Sequence, residues 1–284
     1  MNLFFPLLGP PILSTFPQEL KKRNTYLYIN KYSYTCVGNS GYTGNVIDTA
    51  DYFSLDDFEH RSLWKEGAPI WSALVSLSSY LDLYPFRVEI EIPQGIFIQN
   101  PSLVAIGKGT VIEPGVMIIG PCIIGKDCVI RHGAYIREEV ILGDGCHIGH
   151  SAELKHSILL NRAAATHFVY VGDSIVGTSA NLGAGVKCAN LRLDRREVSV
   201  SVEGKRRNTG LKKFGAIVGD RTQIGCNCVL NPGTLIGKES FSHPLTNLRG
   251  TIPSRSQIDA KGVRPIEQKI LEKLLWQSSA SSPK

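Results

Sequence analysis

An aliphatic residue recurs at every sixth position over ten consecutive steps: Ile106, Ile112, Ile118, Ile124, Ile130, Ile136, Leu142, Ile148, Leu154 and Leu160. A six-residue period matches neither the 3.6-residue helix nor an ordinary strand-and-turn domain, and it marks a β-helix built from hexapeptides. Four positions after each aliphatic stands a second, mostly small residue: Thr110, Val116, Cys122, Cys128, Ala134, Val140, Cys146 and Ala152. Each is followed two residues later by the next aliphatic. Residues two apart on a strand share one face, so both sets point into a common core. Glycine follows the aliphatic at Gly107, Gly125, Gly143 and Gly149, where the chain has to turn a corner.

The period breaks after Leu160 and returns in a new phase at Val176, Leu182 and Cys188, then at Val218, Ile224, Leu230 and Ile236. Val218 follows Cys188 by a multiple of six, so the later coils keep register across an interruption, and Leu191 to Lys213 is an excursion from the coil. The phase slip itself falls between Asn161 and Val171. Stacked repeats hold the ends of such irregular segments rigidly, which makes them places for function.

These boundaries divide the chain into an N-terminal α+β cap region over residues 1–100, a β-helix over 101–258 carrying the inserted basic loop 191–213, and a C-terminal helix and tail over 259–284. In the first, Asp51 to Leu83 reads as helical, with Ser54 as N-cap and Phe58, Leu63, Trp71, Leu74, Leu77 and Leu81 as its apolar residues. Arg87 to Ile98 alternates as strands leading into the coil. The plain role for this region is to close the exposed end of the solenoid. In the last, Arg264 to Gln277 reads as an amphipathic helix. After Phe241, around His243-Pro244-Leu245, the repeat degenerates.

Hydrophobic residues make up 43% of the 284 and charged ones 20%, an ordinary globular balance. The apolar stretch Leu3 to Leu13 is cut by Pro6, Pro10 and Pro11 and has no basic leader, so neither a signal peptide nor a membrane span is expected. The glycine-rich run Gly38 to Asn45 lacks the spacing of a phosphate-binding loop. Seven cysteines, of which Cys122, Cys128, Cys146 and Cys228 fill small inward slots, fit core packing in a reducing cytoplasm. The formal charge of +6 is concentrated: the excursion carries Arg192, Arg195, Arg196, Lys205, Arg206, Arg207, Lys212 and Lys213 against Asp194, Glu197 and Glu203. It is either a solvated basic loop or a site for a phosphorylated ligand. Nucleic acid is disfavoured because no aromatic residue is interleaved with the charges.

If three hexapeptides make one triangular coil, residues eighteen apart stack about 4.8 Å from each other. That stacks Arg137 on Lys155, two cations that an anion between them would reconcile, and Glu153 lies close enough to orient a base. His132 and His150 are also eighteen apart, with His147 and His156 nearby, which raises a zinc site. Lys155 then stands at the spacing where the carbonic-anhydrase class of hexapeptide proteins carries a histidine, and a cationic lysine argues against a metal. His167 lies inside the phase slip beside Tyr170 and the Gly172-Asp173 turn, and a neutral imidazole can take the proton of an attacking amine.

The run Arg137, Glu153-Leu154-Lys155, His167-Phe168-Val169-Tyr170-Val171-Gly172-Asp173, Asn181-Leu182-Gly183-Ala184-Gly185 and Ala189-Asn190 resembles the acetyltransferase domain of the bifunctional bacterial N-acetylglucosamine-1-phosphate uridylyltransferase/glucosamine-1-phosphate acetyltransferases. Its continuation Asn190-Leu191-Arg192-Leu193-Asp194 through Gly204-Lys205-Arg206 is similar to the archaeal sugar-1-phosphate enzymes with the same two activities. The likeness covers residues 100 to 240. It implies a left-handed parallel β-helix, an exception to right-handed crossovers, assembled as a homotrimer with sites between subunits.

The implied reaction is transfer of an acetyl group from acetyl-CoA to the amine of glucosamine 1-phosphate, with no metal needed for that step. By the same resemblance His167 is the general base and Glu153 its orienting carboxylate. Arg137 and Lys155 contact phosphate and sugar, and Tyr170, Asn181 and Asn190 position the sugar. Ala184 and Cys226 lie against acetyl-CoA, Ala184 through its backbone N–H. Cys226 replaces the family's serine, and Arg196 and Ser199 stand where archaeal members have two lysines, which leaves Arg196 as the remaining cation toward the substrate. The nucleotidyltransferase signature of the family's N-terminal domain is absent, so uridylyl transfer is not expected. Two other readings stay open: a non-catalytic β-helix binding a sugar phosphate or nucleotide sugar beside a separate nucleotidyltransferase, and a metal-dependent hydratase.

Overall fold

The computed structural model describes residues 47–267, apart from position 203. The Leu3–Leu13 stretch, the Gly38–Asn45 run and the part of the expected C-terminal helix beyond residue 267 lie outside the described residues. Within them the chain is a left-handed parallel β-helix of about nine turns. Each turn lays one short strand on each of three sheets, two of eight strands and one of nine. The first face begins with Val104–Ile106, the second with Val111–Ile112 and the third with Phe97–Gln99, followed on that face by Met117–Ile119. Strands on a face pair in parallel at a shift of one coil, for example Cys122 with Val140 and Glu153 with Tyr135. Inward residues from all three faces make one continuous core. Ile118, Ile136 and Leu154 stack in it with no exposed surface.

Nine of the ten six-step aliphatics hold this inward line, and the tenth does not. Leu159 pairs with Leu142 and enters the core in place of Leu160. The slip therefore precedes Asn161, at the corner between the third and first faces. There the two-residue turn Glu138-Glu139 of one coil shrinks to His156 alone in the next and to Asp173 alone in the one after, so the pairing shifts from eighteen residues to seventeen. Glu139, His156 and Asp173 all adopt the left-handed conformation, with φ of 62°, 44° and 47°. A single such residue reverses the chain direction enough to round a corner. The excursion leaves from this same corner one coil later. Leu191 and Lys213 bridge its neck, and Ser199–Val202 and Lys205–Asn208 form an antiparallel hairpin within it.

Three expectations change. The region from Asp51 to Leu83 is not one helix: only Ser72–Asp82 is α-helical, preceded by short turns at Thr49–Asp51 and Arg61–Leu63. Gly67, at φ 73°, and Pro69 interrupt the pattern. Ser54 caps nothing and instead donates its backbone N–H to Asp220 Oδ2 at 2.7 Å. The coil does not degenerate after Phe241, because Leu248, Ile252 and Ile258 continue the core and Ser256–Asp259 pairs with Phe241–Ser242. Finally, Gly262–Pro265 is an antiparallel strand against Ser256–Asp259, so no helix begins at Arg264.

The coil starts ahead of residue 101, since Val88 bridges to Ile106 and Phe97–Gln99 pairs with Met117–Ile119. The segment before it contacts several coils along the side of the prism: Asn161 Nδ2 donates to Asp57 O at 2.7 Å, and the rings of Trp71 and Phe214 lie 6.1 Å apart. The first-face residues Ile123, Ile141, Ile158, Ile175, Ile217 and Leu235 are all buried, although it is the residue after each of them that enters the core. On the other two faces the outward positions Val111, Tyr135 and Val229 remain exposed. The covered first face thus leaves the second and third faces to carry a site.

Candidate functional site

Register on the third face decides which polar side chains can meet. Tyr135, Glu153, Tyr170 and Lys187 occupy one outward row, and Lys155 and Gly172 pair in the next. Arg137, which follows the Ile136–Leu154 pair, stands over Lys155 as the eighteen-residue spacing requires. The two cations are separated by their choice of carboxylate. Arg137 pairs with Glu153 at 3.1 Å and Glu138 at 3.4 Å, and its guanidinium lies 5.8 Å from the centre of the Tyr135 ring. Burial opposes the charge of Arg137, but Glu153 and Glu138 outweigh it and hold the guanidinium protonated beyond its usual range. Lys155 is 4% exposed and pairs with the fully buried Asp173 at 3.4 Å.

Asn190, where the excursion leaves the third face, donates to the Tyr170 hydroxyl at 3.3 Å and also to Asp173 Oδ2. Burial raises the Tyr170 phenol, and the Asp173 charge raises it further. Asp173 meets His156 Nδ1 at 3.1 Å through its other oxygen, and His156 Nε2 lies 3.8 Å from Glu139. Burial alone would raise the Asp173 carboxyl, but His156, Lys155 and Asn190 outweigh it and hold it below the ordinary aspartate value.

His167 ends the strand Ala164–His167 on the second face and is exposed at the corner leading to the third. It pairs in register with His150. Corner amides tie the neighbouring coils: Phe168 donates to His150 O, Gly185 to His167 O and Asn227 to Ala184 O, each at 2.8–2.9 Å. His150, His167, Ala184 and Cys226 therefore form one corner column in successive coils. His132 tops it, its ring stacked 5.8 Å from that of His150. The Nδ1 atoms of His132 and His150 are bonded to backbone carbonyls, of Pro114 and His132 respectively. Among the described residues no group of three or more His, Cys, Asp or Glu side chains is arranged to hold a metal ion.

The single chain thus brings Arg137, Glu153, Lys155, Tyr170 and Asn190 together on the third face and sets His167, Ala184 and Cys226 along its edge. Asn181 stands apart on the second face, paired with Ala164 and Gln223. Arg196 also stands apart, in the excursion, beside an open pocket of about 490 Å³ that Arg192, Glu197, Ser199, Arg206 and Asn208 also line. Glu139, His156 and Asp173, buried charged residues of the third-to-first corner, form a cluster that the sequence reading did not bring together, since it set His156 among the histidines and Asp173 in a turn. Their mutual spacing of seventeen was the available signal, hidden because the ruler in use was eighteen.

The chain resembles known proteins over this same region. The family described as the GMPPB C-terminal domain matches residues 118–210. A bifunctional sugar-1-phosphate nucleotidylyltransferase/acetyltransferase of Sulfurisphaera tokodaii is 44% identical over 28% of this chain and 20% of its own length. The uncharacterized acetyltransferase YaiX of Escherichia coli is 31% identical over 67% of this chain and 84% of its own. The chain belongs to the hexapeptide-repeat acetyltransferases. Among solved structures, the polysialic-acid-specific acetyltransferase NeuO aligns over 64% of this chain and 86% of its own at 12% identity, with a TM-score of 0.40. The chain spans about a fifth of the length of the archaeal relatives it matches. No described helix is long and apolar enough to cross a membrane.

Proposed function

We propose that the protein is an acetyl-CoA-dependent N-acetyltransferase acting on an amino-sugar 1-phosphate such as glucosamine 1-phosphate. The observation that supports this reading is the exposed imidazole of His167 in one corner column with Ala184 and Cys226, at the edge of a face carrying Arg137, Glu153, Tyr170 and Asn190. An acyl donor lying along the column brings its thioester next to an amine held over the face.

In that arrangement His167 takes a proton from the amine as its nitrogen attacks the thioester carbonyl carbon. The new C–N bond leaves an oxyanion, which the backbone N–H of Ala184 stabilises. Collapse of the tetrahedral centre breaks the C–S bond, and the imidazolium returns its proton to the departing thiolate. The thioester is already activated, so orientation and proton transfer supply the catalysis. Arg137, about a third exposed, is the phosphate contact. Lys155 is buried on Asp173 and adds positive potential from behind rather than a direct bond. Asn181 faces another side of the prism, so it reaches the sugar only when a neighbouring copy turns its second face toward this third face, as in the trimer the resemblance implies.

Replacing the exposed imidazole in His167→Ala should lower acetyl transfer by roughly 10²- to 10⁴-fold, the usual worth of a general base, with the melting temperature unchanged. A thiol-release assay with acetyl-CoA and a panel of amino-sugar 1-phosphates reads this. Normal turnover by the variant overturns the mechanism, and silence of the wild-type protein across the panel overturns the activity.

A further inference from the structure

The third-to-first corner holds more buried charge than any packing role requires. Asp173 has no exposed surface, and three polar side chains from the two neighbouring coils converge on its carboxylate: Lys155 and His156 from the coil before it and Asn190 from the coil after it. Burying a carboxylate so completely is costly unless each partner is held in place. The partners are in turn restrained by their coils, because His156 Nε2 faces Glu139 and Asn190 bonds Tyr170. Gly172 contributes the space. A Cβ added there would come within 2.6 Å of the Tyr170 hydroxyl and 2.7 Å of Asn190 Nδ2, closer than real contacts allow. Asn190 is also the last coil residue before the excursion, so without a fixed partner its amide would follow the loop.

We propose that Asp173 is a positioning residue of the third-face site: its carboxylate fixes the Asn190 amide, which fixes the Tyr170 hydroxyl, in a slot that the missing side chain of Gly172 leaves open. The consequence for acetyl transfer rests on the function proposed above, whereas the geometric consequence for Tyr170 does not. Asp173 touches neither substrate. It acts on the sugar only through Asn190 and Tyr170, so its removal should spare the acyl-donor column at His167, Ala184 and Cys226.

The test pairs kinetics with nuclear magnetic resonance of ring-labelled tyrosine on the full chain, the Tyr170 signal being assigned with Tyr170→Phe. In Asp173→Asn the Tyr170 hydroxyl should ionise at lower pH than in the wild type, because a negative charge beside it has gone. The value of kcat/KM for glucosamine 1-phosphate should fall roughly 10- to 100-fold, the range for losing a charge-assisted hydrogen bond. KM for acetyl-CoA should stay within about twofold, as the intact donor column implies. Gly172→Ala keeps the carboxylate and should shift the Tyr170 ring signals with the same kinetic split. If the Asp173 variant does not fold, Gly172→Ala alone decides. Unchanged Tyr170 signals in Gly172→Ala, or an unchanged Tyr170 titration in folded Asp173→Asn, overturn the proposal. So does a loss of acetyl-CoA affinity equal to the loss for the sugar, which would mark a merely structural role. A wild-type protein without acetyl transfer refutes the function reading alone, and the Tyr170 titration then still decides this one.

Discussion

Gly149 has no room for a side chain against the next coil. A methyl group built on its α-carbon would overlap the carbonyl of Thr166, the residue directly before His167, and the obstacle is backbone rather than a side chain that could swing away. Normal contact between such atoms requires 3.5–4.0 Å, so Gly149→Ala must push the second-face strand carrying Thr166 outward by about an ångström or more. Interiors at crystal-like density resist such shifts. Forced overpacking costs about 1–3 kcal/mol and occasionally more, and the backbone obstacle puts this site at about 3 kcal/mol. For a body of this size that corresponds to a fall in melting temperature of roughly 6–12 °C. Gly204→Ala is the control: it has φ of 74° with nothing within 4 Å, so only the left-handed conformation is penalised, by about 1–2 kcal/mol. Thermal melts followed by circular dichroism at one protein concentration measure both. Because His167 moves with Thr166, acetyl transfer at a temperature where the variant is folded should drop by about 10²-fold, the cost of misplacing a reacting group by an ångström. A Gly149→Ala protein that melts within the error of the wild type, or less altered than Gly204→Ala, would refute the idea that this glycine sets the coil spacing under the site.

Two further outcomes are expected. Glu239 joins Arg221 at 2.5 Å and Arg255 at 2.8 Å, binding three successive coils at one corner, and these arginines outweigh its burial to hold the carboxyl below the ordinary glutamate value. Its stabilisation is complete above the unfolded glutamate value and is lost as pH falls through the lowered one, so urea midpoints of Glu239→Gln should lie below wild type at neutral pH and converge with it in acid. Among the described cysteines, Cys226 is exposed while Cys122, Cys128, Cys146, Cys188 and Cys228 are buried, with burial pushing Cys122 and Cys188 up to about 12. Cys226→Ser should therefore remove one fast-reacting thiol from a native titration with an aromatic disulfide reagent and leave the five buried thiols reactive only after unfolding, and acetyl-CoA should protect the same thiol in the wild type.

Periodicity made much of this molecule readable without coordinates. In a solenoid, separation along the chain converts directly into separation in space, so the six-step aliphatics identified the inward core and the eighteen-residue spacing stacked Arg137 on Lys155. The neck of the excursion, Leu191 to Lys213, was legible for the same reason, because register resumed beyond it. Tertiary structure decided whatever depends on a corner losing one residue. His156 and Asp173 round their corners alone, and that single deletion moves Leu159 into the core and converts the ruler to seventeen. It also stacks Glu139, His156 and Asp173 and commits Lys155 to a buried carboxylate rather than to a shared anion with Arg137. The broken helix before the coil and the buried first face lay equally beyond the pattern, since they are set by what packs across coils. A repeating sequence specifies its own stacking through local contacts, but the partner of a buried charge is chosen by whichever coils the corners bring together.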